Sequence, residues 1–321
     1  MLKKYSLFIL FLIFIFISCT ERKDNKSIEV NYQSVKVKII TFVSHEVLDA
    51  VVNSTRNSLI TDYNIPQNNI EVFNPNGNLD EIRAYVRTLN SRNTDVIISV
   101  STPASQAVLS TRHPSIPLVF SFVSDTSSLS LSHYPNVTGI SNVLNYEKGF
   151  ELLKKLLPNL SRICVVYNPT EPNSNYSYNQ IVENAKKQTP PVNVVTRQFS
   201  NDNEISITAS TITNVDAFYV GGDNKLVKNI KLLLNVANNK NIPVFASDEG
   251  SVLAGAIAAY SIDYSKFGNE TAKLTINVLS NRSAKNIDVI MYSDGKNIIN
   301  KTALNIFKID YSKLTPYEEI K

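Results

Sequence analysis

Short, continuous apolar runs recur along this chain, and most are followed by a stretch with helical spacing. A run that is apolar on both faces needs cover on both faces, which is the condition of a parallel strand flanked by helices. The rhythm predicts a strand over 35–43 and a helix over 46–60. It continues as strand 69–73, helix 79–90, strand 95–100, helix 103–110 and strand 118–122. A second set follows: helix 146–157, stopped by Pro158, strand 162–167, helix 178–188 and strand 193–198. Strand 216–220, helix 225–238 and strand 243–246 complete it, and the break between the sets falls near 134–139. Two such sets predict an α/β chain of two doubly wound parallel-sheet lobes.

The N-terminus has a different character. Residues 1–19 read MLKKYSLFILFLIFIFISC, with Lys3 and Lys4 ahead of an almost wholly apolar stretch. That is the anatomy of a secretory signal. It falls short of the about 20 apolar residues that a membrane span needs. Ser18 and Cys19 close the segment and resemble the lipobox of bacterial lipoproteins, with Phe16 where leucine is usual. The resemblance implies a signal peptide over 1–18, cleavage before Cys19 and lipid on the Cys19 thiol. An uncleaved N-terminal anchor is the other reading, and both place the remaining chain outside the cytoplasm at a membrane. The polar residues 19–34 then form a tether.

Composition narrows the classes further. The chain has 321 residues and is 43% apolar, enough for a packed core in two lobes. Two cysteines occur, so with Cys19 acylated Cys164 stands alone. Neither a disulfide framework nor a cysteine-rich metal site is then available. Cys164 sits in an apolar run and reads as a buried thiol. Net charge is +4, and 4 − 2 = +2 without Lys3 and Lys4. The basic residues are scattered, which argues against a nucleic-acid partner.

In doubly wound sheets, ligands bind beyond the carboxyl ends of the strands. Thr41 closes the first strand, and polar loops follow five of the others. Ser101, Thr102, Pro103, Ala104 and Ser105 follow the third, where Ser or Thr caps a helix and Pro103 suits its first turn. Such a helix start is a ready anion site. Asp125 lies in the next loop; Asn168, Glu171, Asn173 and Ser174 lie after 162–167. Asp223 and Asn224 follow 216–220, and Asp248 and Glu249 follow 243–246. Asp, Asn, Ser and Pro are ordinary cap and turn residues, so each loop alone has a structural explanation. Five at one edge of two sheets suggest the lining of a cleft for a small polar ligand.

Six segments carry a family resemblance: DVIISVSTPASQ (95–106), NVTGIS (136–141), NPTEPNS (168–174), DAFYVGGDN (216–224), IPVFASDEG (242–250) and AYSIDY (259–264). In order and spacing they resemble the ABC-transporter substrate-binding proteins of the tryptophan/tyrosine-binding type, from about 35 to 307. His45-x-x-Leu48-Asp49 resembles that family's opening motif. Thr126 departs from the proline usual after the aspartate, and Ile40-Thr41-Phe42 departs from small polar residues. The resemblance implies a periplasmic-binding-protein-like clamshell of type I, its chain crossing a three-strand hinge near 139–142, 261–264 and 289–294. Lobe 1 is then 35–140 plus 263–290, and lobe 2 is 141–262 plus 291–321. It also implies closure on a ligand and docking on a membrane ABC permease. A ligand-sensing lipoprotein needs the same clamshell and stays open as the alternative.

An amino acid suits these loops. The helix start at 102–105 can meet its carboxylate, with Asn173 and Ser174 closing from the other lobe. Asp223, with Asp125, can meet its ammonium through charge-assisted hydrogen bonds. Phe42, Tyr167 and Tyr260 are candidates to flank an aromatic side chain, though strand-end packing explains them equally well. The chain has no tryptophan, so a Trp stacking platform for sugars is missing. Catalysis lacks support: there is no G-x-S-x-G elbow, and His45, His113 and His133 show no metal-ligand spacing. No G-x-G-x-x-G or Walker loop calls for a cofactor.

Overall fold

The computed structural model describes residues 31–320. The leader, Cys19 and most of the tether lie outside the described residues. In the first half the elements are β1 (Val37–Thr41), α1 (Glu46–Thr61), β2 (Ile70–Phe73), α2 (Leu79–Thr88), β3 (Val96–Val100), α3 (Thr102–Leu109), β4 (Leu118–Val123) and β5 (Val137–Asn142). Then come α4 (Tyr146–Leu156), β6 (Arg162–Tyr167), α5 (Pro172–Lys186), β7 (Asn193–Gln198), α6 (Glu204–Ser210), β8 (Ala217–Val220), α7 (Asn224–Lys228), α8 (Ile230–Asn239) and β9 (Val244–Ala246). The chain ends with α9 (Glu249–Ala254), β10 (Ala258–Ile262), α10 (Tyr264–Asn281), β11 (Ile290–Tyr292), β12 (Gly295–Ile299), α11 (Lys301–Ile306) and β13 (Glu318–Glu319).

These strands form two sheets, ordered β11-β5-β4-β3-β1-β2 and β13-β12-β10-β9-β8-β6-β7. Every pairing in the first sheet is parallel. The second sheet is parallel except where β12 runs antiparallel to β10. That reversal follows from a short return: Ser293 and Asp294 alone separate β11 in one sheet from β12 in the other. Strand pairing keeps β5 in the first sheet through Asn142 and β11 through Tyr292. The chain therefore passes between sheets after Asn142, at Asp263 and after Tyr292.

Two helices differ from the sequence expectation for local reasons. α5 begins at Pro172, six residues ahead of the expected start at 178. Proline is pre-organised for a first helical position, so the polar stretch that reads as loop is the first helical turn. The expected helix 225–238 is two helices broken at Asn229, whose φ/ψ of −110°/24° leaves the helical region. Its side-chain amide donates to the Lys225 carbonyl at 2.9 Å, a local bond that competes with the helix ladder.

Both cores are strand-centred. Ile39, Ile98 and Phe120 are fully buried in the first lobe, and Phe150, Phe218 and Phe245 in the second. Burying each such side chain contributes about 1.5–3 kcal/mol. α10 returns to the first lobe and packs on α1 so closely that a Cβ at Gly268 would lie 1.8 Å from Ser54 Oγ. Only glycine fits there, and this crossing fixes where the start of α10 points. Cys164 lies wholly buried in β6 as a free thiol, its pKa pushed up to about 12 by burial. Among the described residues no helix is long and apolar enough to cross a membrane.

Candidate functional site

The carboxyl ends of both sheets face one cleft with about 490 Å³ of empty volume. The first lobe contributes His45, Val47, Ser101, Thr102, Phe122, Ser124, Asn142 and the first residue of α10, Tyr264. The second contributes Asn173, Gly221, Gly222, Asp223, Asn224, Val227, Ser247 and Asp248, and Leu144 sits in the link after β5.

Several of these residues cap a helix and line the cleft at once. Asp223 is the N-cap of α7, its Oδ1 accepting from the Leu226 amide at 2.9 Å. Its Oδ2 accepts from the Asn168 amide at 2.7 Å and the Ser174 hydroxyl at 2.6 Å. Asp248 caps α9, accepting from the amide and the hydroxyl of Ser251, each at 2.7 Å. Both carboxyls are buried, and burial disfavours the charged form. Burial, reinforced by the charge of Glu171, raises Asp223 well above the usual carboxylate range. Burial raises Asp248 to about 6. Among the described residues no lysine or arginine lines the cleft, so neither acid has a cationic partner there. The Gly221-Gly222 pair serves packing: a Cβ at Gly221 would lie 2.9 Å from the Ser177 Cβ of α5.

On the first lobe the backbone is unusual at two adjacent strand ends. Ser101 has φ 91° and ψ 156°, a region almost confined to glycine. Phe122 has φ 57°, at a register shift between β4 and β5. The two are joined by the Ser101 amide donating to the Ser121 carbonyl at 3.0 Å. Such conformations cost on the order of 1–3 kcal/mol each and cluster at ligand sites. The start of α3 offers fewer donors than a free helix end. Pro103 has no N–H, the Ala104 amide points to Ser101 Oγ at 3.5 Å, and the Ser105 amide bonds Ser101 O at 3.0 Å. The backbone amide and hydroxyl of Thr102 remain for a ligand.

The two lobes touch across the cleft. His45 Nδ1 accepts from the Leu48 amide at 3.4 Å as the N-cap of α1, so its proton sits on Nε2. Nε2 then donates to Asn224 Oδ1 at 3.3 Å, and Asn224 Nδ2 donates to Glu171 Oε2 at 2.8 Å. Burial lowers the His45 pKa to about 4, which keeps the ring neutral. Lys228 Nζ donates to Asn76 Oδ1 at 2.9 Å, and a Cβ at Gly250 would lie 2.8 Å from Glu46 Cβ. These contacts describe closed lobes. Inside the closed cleft, Thr102 Oγ1, Asn142 Oδ1 and Asn173 Oδ1 are buried without a hydrogen-bond partner. Unsatisfied buried polar groups are rare and call for a specific explanation.

Of the residues singled out from sequence, Ser101, Thr102, Asn173, Asp223, Asn224 and Asp248 come together in the cleft. The others lie outside its lining. Thr41 is buried at the end of β1. Pro103, Ala104 and Ser105 face into α3 packing, with Ser105 Oγ bonded to Ser99 Oγ at 2.8 Å. Asn168 and Ser174 stand behind Asp223 and hold its carboxylate. Glu171 accepts from the Asn224 and Lys225 amides at 3.1 and 3.2 Å, anchoring the start of α7. Asp125 caps a short turn through the Ser127 amide at 2.9 Å, and Glu249 opens on a separate depression beside Glu46. The aromatic candidates differ too. Phe42 is buried elsewhere, Tyr167 stacks on Tyr178 at 4.3 Å, and Tyr260 lies in a groove with Lys148. The cleft aromatics are Phe122 and Tyr264, one turned inward by its backbone and one delivered from far along the chain. The left-handed φ of Phe122 had no signal in sequence. Among the described residues no group of three His, Cys, Asp or Glu can hold a metal ion.

Two sheets facing one closed cleft define a bilobal binding protein of the periplasmic-binding-protein-like type I fold. The chain belongs to the ABC transporter substrate binding protein family, whose model matches residues 36–315. Proteins of this class bind and release ligand without turnover, outside the cytoplasm. A tyrosine-binding protein of Clostridioides difficile (strain R20291) is 32% identical over 252 residues, 77% of this chain and 72% of that protein. The crystal structure of an ABC domain from Streptococcus pneumoniae in complex with L-Trp is 25% identical and superposes with a TM-score of 0.82. A ligand-free, open substrate-binding protein with adhesive properties from Clostridium difficile is 26% identical and superposes at 0.68. Both comparisons cover 89% of this chain and 99% of the other. At equal coverage and similar identity, the higher score for the complex accords with the closed lobes seen here.

Proposed function

We propose that this chain is the extracytoplasmic substrate-binding lipoprotein of an ABC importer, closing its lobes on one amino acid with a hydrophobic or aromatic side chain. The observation that carries this reading is the unbalanced polarity of the cleft. Two buried carboxylates and two unpartnered amide oxygens face it without a protein cation. Such a lining is completed by a ligand that brings positive charge and N–H donors, and an α-ammonium brings both. Asp223 and Asp248 receive the ammonium, and the Thr102 amide and hydroxyl receive the carboxylate. Val47, Leu144, Val227, Phe122 and Tyr264 surround the side chain.

Closure follows from where these groups sit. The acids belong to the second lobe and Thr102 to the first, so one small ligand bridges both only when the lobes meet. That differential contact is what shifts a hinge toward its closed state. In this reading lipid on Cys19 and the polar tether hold the clamshell near a permease in the membrane. The tyrosine-binding relative and the L-Trp complex support an amino acid over a sugar.

A thermal-shift screen of the L-amino acids tests the reading. One chemical class should raise the melting temperature saturably, since a ligand at 100 times its Kd stabilises by about 2.7 kcal/mol. A screen without any shift contradicts it.

A further inference from the structure

We propose that Phe122 is the specificity-determining side chain of the cleft, the one that selects the shape of the ligand's own side chain; this inference rests on the amino-acid reading above. Along β4, Leu118, Val119, Phe120, Ser121 and Val123 are buried, and Phe122 alone keeps partial exposure, at the cleft. Regular alternation does not produce that. The register between β4 and β5 shifts between Ser121 and Val123, and Phe122 takes φ 57°. A bulge is a device for re-aiming a side chain, and a bulky residue in the left-handed region is an outlier that demands a reason.

The ring is held from two sides. Tyr264 meets it edge-on at 5.8 Å and 68°, and Phe267 at 5.4 Å and 82°. Both neighbours belong to α10, which Gly268 presses against α1. Phe122 is therefore a fixed wall, not a mobile lid. The other apolar lining residues, Val47, Leu144 and Val227, are aliphatic and contribute no flat face. Aromatic partners prefer an edge or an offset face, so the Phe122–Tyr264 corner is where a planar side chain gains most. Simple packing against Phe267 would explain a buried ring in this place, but not one turned out of β4 by its backbone.

The test uses the purified chain titrated calorimetrically with L-tyrosine, L-tryptophan, L-leucine and L-alanine. Phe122→Gly keeps the fold, because glycine is at ease at positive φ, and it removes the wall. Phe122→Leu keeps apolar volume and the contact with Phe267 and loses only the flat ring. Both variants should lose at least tenfold in affinity for the aromatic amino acids relative to L-leucine. If the native chain binds and both folded variants keep its ranking of the four ligands, the inference is overturned alone. If the native chain binds none of the four, the amino-acid reading fails and the inference falls with it.

Discussion

The two faces of the cleft are built from different chemistry. The second lobe contributes charge: Asp223 and Asp248 are buried, hydrogen-bonded to their own helix starts and without a cation. The first lobe contributes shape and neutral polarity: a neutral His45, Ser101 and Thr102, and an aromatic corner on a strained backbone. The difference shows how labour can be divided in a clamshell. In the proposed reading the second lobe meets the ammonium, while the first meets the carboxylate and supplies the aromatic corner that reads the side chain. In that reading neither face alone satisfies a zwitterion, so recognition and closure become one event.

Removing charge from the second lobe should weaken binding most. Asp223→Asn keeps the shape and removes the charge, and it should cost about 2–5 kcal/mol of binding, the usual loss when one partner of a buried charge pair is removed. That is roughly thirtyfold or more in Kd by calorimetry. The melting temperature of the ligand-free variant should fall modestly, because an Asn amide turns its Nδ2 donor toward at least one of the donors that Asp223 accepts from. If affinity falls only in step with stability, Asp223 is a cap and not a recognition residue.

Acid is the second way in. Asp248 holds its proton up to about 6, above the ordinary value of 3.8. The folded, ligand-free protein thus keeps a proton that the unfolded chain releases. This carboxyl favours folding in acid, and the contribution is lost as pH rises from 3.8 through about 6. An ammonium binds the ionised form, so amino-acid affinity should fall as pH drops below about 7, where Asp223 takes up its proton, and further below about 6. His45 has the opposite sign for folding: its pKa falls from 6.5 to about 4. Its buried, neutral state therefore loses stability as pH drops from 6.5 through about 4, which opposes closure in acid. Titrations across this range should show protons released on binding; a flat pH profile would remove the acids from the account.

Smaller effects sharpen the neutral side. Thr102→Val removes a hydroxyl that only a ligand can satisfy, with an expected loss of about 1 kcal/mol in affinity and little change in melting temperature. His45→Ala breaks the Asn224 bond between lobes and should cost about 0.5–1.5 kcal/mol of closure. Small-angle scattering would register it as a larger open population at subsaturating ligand.

Much of this was legible in the sequence. Strands buried on both faces write themselves as apolar runs, and β6 spans the residues expected of it; β7, a partly exposed edge strand, also keeps its expected bounds. Capping residues were visible as polar loops, because helix starts need side-chain acceptors. What the sequence does not show is where a cap's remaining lone pairs point. Asp125 and Asp248 both follow a strand and both cap. Asp248 opens a helix at the cleft, whereas Asp125 closes a short turn outside it. Tyr264 reaches the cleft only because α10 crosses back to the first lobe, and Phe122 only through a backbone conformation that no side chain announces. Asn142 joins it because β5 runs one turn of the pleat past the expected boundary.

In the proposed reading the second lobe's buried acids hold an α-ammonium. Parallel calorimetric titrations of the purified chain with L-tyrosine and N-acetyl-L-tyrosine at neutral pH test it most directly. The two ligands share a side chain and a carboxylate, and only the first carries the cation. Saturable one-to-one binding of L-tyrosine, with the N-acetyl compound at least a hundredfold weaker, is the predicted result. Equal affinity for the two would contradict the account.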